Sequence, residues 1–354
     1  MNRRAMLLSV GGGLSAALLA APARGSPAPK AACAGVCIHS YMIRPQVERS
    51  RGKGGAFTDP LTFLEHGHRL GAAGIQVGIG TRDESYVARL RERAQGYGMY
   101  IEGTADLPRD ENDLGRFDAT VWTAKAAGAG VIRVVMMPGR RYERFRTADE
   151  FRLAVEAGRK SLELAEPVAA RHKVRLAVEN HKDQRVPERV PLLKHIGSEY
   201  VGMCVDTGNS LSLLEDPTEV VKAYAPWAYA VHLKDQAVRE YEEGFLLADV
   251  PLGEGILDLA AMTGVLRQAR PDLRFSLETH TRDPLKVPCL TEGYWTTMAD
   301  VPARDLVRTL RMVRAKASPG PFVRVSGLPV DEQLQLEETN VRKSLAFARD
   351  HLGL

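Results

Sequence analysis

Sulphur, aromatic rings and net charge are all scarce in this chain. Four cysteines in 354 residues, with no C-x-x-C pair and no zinc-knuckle spacing, exclude a disulfide-framework or zinc-ribbon protein. Cys33 and Cys37 stand four apart in what reads as a strand, which would set their Cα atoms about 13 Å apart, too far for a disulfide. Cys37 and Cys204 read as small buried apolar residues. The formal charge is +4, and removing Arg3 and Arg4 leaves it near +2. That excludes the concentrated basic surface needed to hold nucleic acid or an anionic membrane. A phosphate loop is missing too: Gly52-Lys-Gly-Gly55 follows no strand and lacks the Gly-Lys-Ser/Thr ending.

What remains is ordinary globular material, 44% hydrophobic and 26% charged, with length enough for one large α/β barrel. The first residues stand apart. Arg3-Arg4 precedes a weakly apolar run from Leu7 to Ala21, and Ala21-Pro22-Ala23 offers small residues for cleavage. This resembles a twin-arginine export signal. The expectation is a signal and linker at 1–30, a periplasmic or otherwise exported protein, and no membrane contact after signal cleavage.

From there, strand and helix patterns alternate. Short β-branched runs fall at about 33–41, 74–79, 99–104, 131–137, 174–179, 201–206, 228–233 and 273–278. Amphipathic stretches separate them, with Asp59-Pro60 and Asp216-Pro217 as starts and Gly98, Gly128 and Gly197 as stops. Eight such units predict an α/β fold closed as a (β/α)8 TIM barrel over 31–317, with Arg304 to Lys316 as its last helix. Residues 318–354 read as a loop and an extra C-terminal helix that packs on the barrel or forms a subunit contact, which leaves a homo-oligomer open.

Four of the strands end in chemistry. Arg175-Leu-Ala-Val-Glu179, Val201-Gly-Met-Cys-Val-Asp206, Ala230-Val-His232 and Phe275-Ser-Leu-Glu278 each run from apolar residues into a metal-ligating side chain. In a barrel, the C-terminal strand ends form the mouth. Three carboxylates brought together there without a cation would cost several kcal/mol. Glu179, Asp206, His232 and Glu278 are therefore the expected ligands of one divalent cation. An oxygen-rich set with one imidazole suits Mn2+ first, and tolerates Mg2+, Co2+ or Zn2+.

These stretches resemble the sugar phosphate isomerase/epimerase superfamily, the xylose isomerase-like TIM barrels. The matching segments are Val178-Glu-Asn-His181, Val205-Asp-Thr-Gly-Asn209, Val231-His-Leu-Lys-Asp235, Pro251-Leu-Gly-Glu-Gly255 and Ser276-Leu-Glu278, and the resemblance spans roughly 33–315. It implies an isomerase or epimerase of a small sugar or keto-sugar. In that scheme Glu179 and Glu278 are the catalytic pair, one removing the proton beside a carbonyl and the other returning it to the enediolate. A lyase or dehydratase could use the same site by expelling a β substituent. A non-catalytic sugar-binding protein and an endonuclease IV-like phosphodiesterase are the further alternatives.

The substrate is expected to be a small sugar-like molecule, with no nucleic acid partner. Candidate substrate contacts are His181 and Lys234, which share inward faces with ligands, Asn209, where many relatives carry His, Glu254 on its Gly-flanked turn, and His39 and Glu102 on the first and third strands. Gln76 stands where relatives often carry Glu, and Arg185 where some epimerases carry a second substrate-binding Glu. The basic loop Arg140, Arg141 and Arg144 is a candidate receiver for an acidic substrate group. Tyr294 and Trp295 could form a sugar-stacking lid.

Overall fold

The computed structural model describes residues 34–52 and 54–354; the expected export signal and linker at 1–30, and Cys33, lie outside them. Eight strands are parallel and close on themselves. In chain order they are β1 (Ala34–Cys37), β2 (Gly74–Val77), β3 (Tyr100–Thr104), β4 (Val131–Val134), β5 (Arg175–Glu179), β6 (Val201–Asp206) and β7 (Ala228–Leu233). A hairpin of β8 (Asp235–Tyr241) and β9 (Gly244–Val250) follows, and then β10 (Phe275–Leu277) completes the barrel. The order around the barrel is β1-β10-β7-β6-β5-β4-β3-β2. A short strand, β11 (Leu285–Val287), pairs antiparallel with β9, so the hairpin becomes a three-stranded sheet beside the barrel.

The helices are α1 (Ile43–Ser50), α2 (Pro60–Leu70), α3 (Glu84–Tyr97), α4 (Leu114–Ala126), α5 (Arg141–Arg144) and α6 (Ala148–His172). Then come α7 (Val186–Ile196), α8 (Pro217–Tyr224), α9 (Leu259–Ala269), α10 (Glu292–Trp295), α11 (Ala303–Ala315) and α12 (Val330–Leu352). Asp59 and Asp216 cap α2 and α8 through their carboxylates, each with proline at the first helical position, where its missing N–H costs nothing. Among the described residues, no helix is long and apolar enough to cross a membrane.

The outer ring closes in an unexpected way. α11, the expected last helix of the barrel, lies against β8 and β9, with Val313 in a separate core beneath the hairpin. α12 instead packs against β1, β10, α1 and α9, and its Val341, Ala348 and Leu352 belong to the main core. Both helices are amphipathic, so the pattern alone does not say which one fills the gap between β10 and β1. Two contacts settle α12. Its Glu337 accepts the Ile43 and Arg44 amides (2.6 and 3.0 Å), which are first-turn donors of α1 with no helical partner. Its Phe347 lies where a Cβ on Gly253 would be, 2.1 Å away; Gly253 also has φ +85°, so only glycine suits that turn.

Inside the barrel, side chains alternate with the strand period. Below Glu179, Asp206, His232 and Glu278 lie Ala177, Cys204, Ala230 and Ser276, all fully buried. These small residues leave room for Gln76, Glu102 and Arg133, which reach in from β2, β3 and β4.

Candidate metal and active site

The ends of β5, β6, β7 and β10 are neighbours in the barrel, and polar side chains fix their spacing. Asn180 extends the β5–β6 pairing: its Nδ2 donates to the Asp206 carbonyl (2.9 Å), and its Oδ1 accepts the Asp206 amide (2.7 Å). Thr207 does the same for β6 and β7, donating to the Lys234 carbonyl (2.7 Å) and accepting its amide (2.9 Å). Ser40 donates to the Leu277 carbonyl (2.9 Å) and accepts from the Thr279 amide (3.2 Å), which ties the turn after β1 to the end of β10.

These clamps gather the four expected ligands. One donor atom from each of Glu179, Asp206, His232 and Glu278 lies within 4.8 Å of the others, and all four residues are buried. Two of the donor atoms are left over by the surrounding hydrogen bonds. Asp206 Oδ1 accepts the Gly208 and Asn209 amides (2.8 Å each), while Oδ2 has no aligned hydrogen-bond donor and faces the Lys234 ammonium at 3.0 Å. His232 Nε2 bonds Gln76 Oε1 (2.6 Å). The Gln76 amide nitrogen meanwhile donates to Glu102 (3.0 Å). That chain assigns the N–H of the imidazole to Nε2. It leaves Nδ1 without a hydrogen-bond partner, 3.3 Å from Glu278 and 3.6 Å from Glu179, so this nitrogen either takes a second proton, which burial opposes but Cys204 and these carboxylates favour, or gives its lone pair to a cation. An unpartnered imidazole nitrogen among three carboxylates is what a divalent cation would complete, and a hydrogen-bonded outer nitrogen is the usual support of a ligating histidine. Cys37 Sγ lies within the same reach of His232 and Glu278.

Protein cations already answer part of the negative charge. Arg133, from β4, donates to Glu179 through Nε (2.6 Å) and a terminal nitrogen. Burial alone would raise the Glu179 carboxyl, but Arg133 outweighs it and holds the group well below the ordinary carboxylate range. Lys234 lies 3.0 Å from Asp206 and 2.8 Å from Glu278. Burial likewise opposes ionisation of Glu278, and His232 and Lys234 overcome it. Asp206 is raised instead, by burial and by the neighbouring Glu278 and Glu179, against the pull of Lys234.

A cavity of about 320 Å³ opens above the cluster, and Glu278, Lys234, His39, His181 and Lys182 are among its walls. His39 Nδ1 lies 3.3 Å from Glu278 Oε1, and His181 Nδ1 bonds the Gly139 carbonyl (3.1 Å). Several expected substrate contacts lie elsewhere. Glu179 is not among the cavity walls, and both its oxygens are taken, one by Arg133 and the other by the Asn209 amide (3.0 Å). Asn209 is fully buried behind the ligands, positioning Glu179 and accepting from Lys182 and Lys234.

Glu102 is mid-strand, so it lies one layer below the mouth, bonded to Gln76 and Ser276. Glu254 is half exposed and pairs with Lys343 of α12 (2.9 Å); Asp235 accepts the amides on either side of it, at Gly253 and Gly255, and pulls the turn onto the barrel wall. Gln76 is not a substrate contact but the support of His232. Arg185 pairs with Asp305 (2.5 Å) in the protein interior. Arg140 and Arg141 pair with Glu143 and Glu188, and Arg144 caps the Pro138 carbonyl. Tyr294 and Trp295 are bonded to the carbonyls of Ser212 and Cys289 and cover the hairpin core.

Other residues of the site had gone unrecognised. Arg133 had a signal: an arginine inside a four-residue apolar strand needs a buried partner. Asp249 comes from the hairpin, where burial opposes its ionisation but Arg282 (2.8 Å) and Lys234 hold it well below the ordinary range. Nothing in the spacing of β8 and β9 placed it at the mouth.

Fold and cluster together define a parallel barrel with a buried, carboxylate-rich cluster at its C-terminal face that could hold a metal ion. The chain belongs to the Xylose isomerase-like TIM barrel family, whose profile matches residues 64–309. It is 29% identical over 213 residues to 3-oxo-isoapionate decarboxylase of Pectobacterium atrosepticum, a match covering 59% of this chain and 72% of that protein. Among solved structures it is similar to D-psicose 3-epimerase crystallised with D-fructose (TM-score 0.52, 15% identity, 84% of this chain and 94% of that one). It is also similar to the probable 3-DHS dehydratase of Bacillus anthracis (TM-score 0.51, 14% identity, 69% and 91%). Both structures speak to the fold.

Proposed function

We propose that the protein is a metal-dependent isomerase or epimerase of a small sugar or keto-sugar, working through an enediol. The observation that carries this reading is Glu278, a carboxylate held ionised at the floor of a sugar-sized cavity, beside orphaned donors that fit a divalent cation. Glu179, Asp206, His232 and Glu278 would hold the cation, which when bound would polarise a carbonyl and its neighbouring hydroxyl and acidify the carbon between them. Glu278 takes the proton from that carbon. His39, 3.3 Å from Glu278 and also facing the cavity, is the group placed to pass a proton on or return it. Lys234 keeps Glu278 ionised, and Arg133 with Asn209 keeps Glu179 fixed. General-base help of this kind contributes roughly 10²–10⁴-fold.

The similarity to a decarboxylase supports a second reading. Cleavage of a keto acid or elimination at the β carbon passes through the same enediol and needs the same charge stabilisation. Incubation of candidate keto sugars in D2O separates these from mere binding. Deuterium at the carbon beside the carbonyl in unconsumed or epimerised sugar supports the isomerase; CO2 or an enone supports the lyase. Absence of exchange and of product with every keto sugar tried, in protein reconstituted with Mn2+, would sink both.

A further inference from the structure

The cavity is walled by cations and carboxylates together, Glu278 and Asp106 among the latter, and one of the cations has no carboxylate in contact. Four side-chain cations face it: Arg133, Lys182, Lys234 and Arg282. Three are paired, Arg133 with Glu179, Lys234 with Asp206 and Glu278, and Arg282 with Asp249. Lys182 is the exception. The residue is 3% exposed, and among the described residues no carboxylate oxygen lies within 4.0 Å of its ammonium, which donates only to the neutral Asn209 amide oxygen. A buried cation with no counter-charge costs several kcal/mol relative to an apolar side chain of similar volume. Burial pushes the Lys182 amine down to about 7, and Lys234 and Arg282 push the same way. Nothing in the packing requires an ammonium here.

We infer that the substrate carries a carboxylate and that Lys182 receives it. This rests on the reading of the cavity as the site of a small carbonyl compound. One ammonium without a carboxylate in contact suits one carboxylate; a phosphate monoester brings nearly two negative charges, and the next cation, Arg282, is already committed to Asp249. The position narrows the substrate further. Asn209 Oδ1 bonds both Lys182 and Lys234 (3.4 Å to the latter), and Lys234 touches Glu278. The carboxylate therefore lies close to the reacting carbon. A 2-oxo or 3-oxo sugar acid fits, and a sugar acid with its carboxylate at the far end of the chain does not.

The test is calorimetric binding to the full chain, loaded with Mn2+, of three matched probes: D-fructose, 2-keto-D-gluconate, in which a carboxylate replaces the first CH2OH, and D-fructose 1-phosphate. The wild type should bind 2-keto-D-gluconate at least about ten-fold more tightly than D-fructose, as a charge-assisted contact predicts. Lys182→Met should collapse that ratio, and Lys182→Arg should restore part of it. A wild type that binds D-fructose as tightly as the acid, fails to bind the acid, or binds the phosphate most tightly overturns the inference, as does a ratio that survives Lys182→Met.

Stability gives a second readout. The folded amine titrates near 7 and the unfolded one near 10.5, so the unfolded state binds more protons between those values and wild-type stability rises with pH there. Lys182→Met should therefore melt higher than wild type at pH 7, with the gain shrinking toward pH 10. A lower melting point at pH 7 would make Lys182 a structural strut and end the proposal. Proton exchange in D2O is scored apart. Lys182-dependent binding without exchange leaves this inference standing and removes the enolising reaction; exchange without a preference for the acid does the reverse.

Discussion

Two layers of the same barrel interior treat buried glutamates in opposite ways. In the upper layer, Glu179 and Glu278 are held ionised, because Arg133, Lys234 and His232 outweigh burial. One layer down, Glu102 is equally buried but has only an amide and a hydroxyl as hydrogen-bond partners, Gln76 and Ser276. Burial there wins and pushes its carboxyl up to about 7. The strand period places both kinds inward; the nearest full positive charge decides the protonation state. The upper layer is built to hold charge and the lower one to orient the histidine above it.

The largest expected effect comes from removing charge where the cavity opens. Glu278→Gln should lower turnover roughly 10²–10⁴-fold while circular dichroism shows the fold intact. A variant with wild-type turnover would show that the upper layer's charge serves binding alone. The same charge change at Glu179 should act mainly on metal affinity, because Glu179 does not border the cavity.

The link between the layers is the next target. Gln76→Leu removes the acceptor that fixes the N–H of His232 on Nε2, and metal affinity by competition with a chelator should fall about 10–100-fold. Unchanged affinity would separate the layers and make Gln76 a packing residue.

Glu102→Gln tests the lower layer by stability. The wild-type carboxyl gives up its proton near 7 when folded and near the ordinary 4.5 when unfolded. Wild-type stability contributed by the protonated form is therefore complete below 4.5 and is lost as pH rises from there through 7. The glutamine variant should be more stable by about 1–3 kcal/mol above pH 7, with no advantage below pH 4.5. A variant less stable at pH 8 would show that ionised Glu102 is held by a positive charge after all, and the contrast between the layers would fail.

These residues also mark how far the sequence reads. The eight strands were legible as short apolar runs, and the gathering of Glu179, Asp206, His232 and Glu278 was legible because four of those runs end abruptly in such a side chain. Direction was legible too: the period places Gln76, Glu102 and Lys234 inward, whereas His39, expected on the first strand, lies in a 3-10 turn after it (Ile38–Ser40) and reaches the cavity from there. Depth was not. The run at 99–104 gave Glu102 a direction, but only its register opposite Gln76 puts it a layer below the mouth. Partnership was not legible either. Arg133 reaches Glu179 although its register partner on β5 is Ala177, because strand tilt in a closed barrel shifts neighbouring side chains along the axis. The swap of α11 and α12 depends on contacts more than 280 residues apart, such as Glu337 to Ile43, which no local pattern encodes.

The smallest expected effect concerns Glu254, whose motif placed it over the mouth and whose backbone places it outside. Its pair with Lys343 joins two half-exposed side chains, and exposed pairs are worth about 0–1 kcal/mol. Asp235 accepts the amides of Gly253 and Gly255 regardless of the side chain between them, so Glu254→Ala should leave the turn in place. Turnover and metal affinity should stay within error, and stability should change by less than about 0.5 kcal/mol. The contrast with Asp235→Asn is the informative one: weakening that cap frees the turn from the barrel wall and should cost more than the loss of Glu254. If Glu254→Ala instead abolishes turnover, the turn must swing over the cavity when substrate binds, and the division between the charged mouth and the outer wall would have to be redrawn.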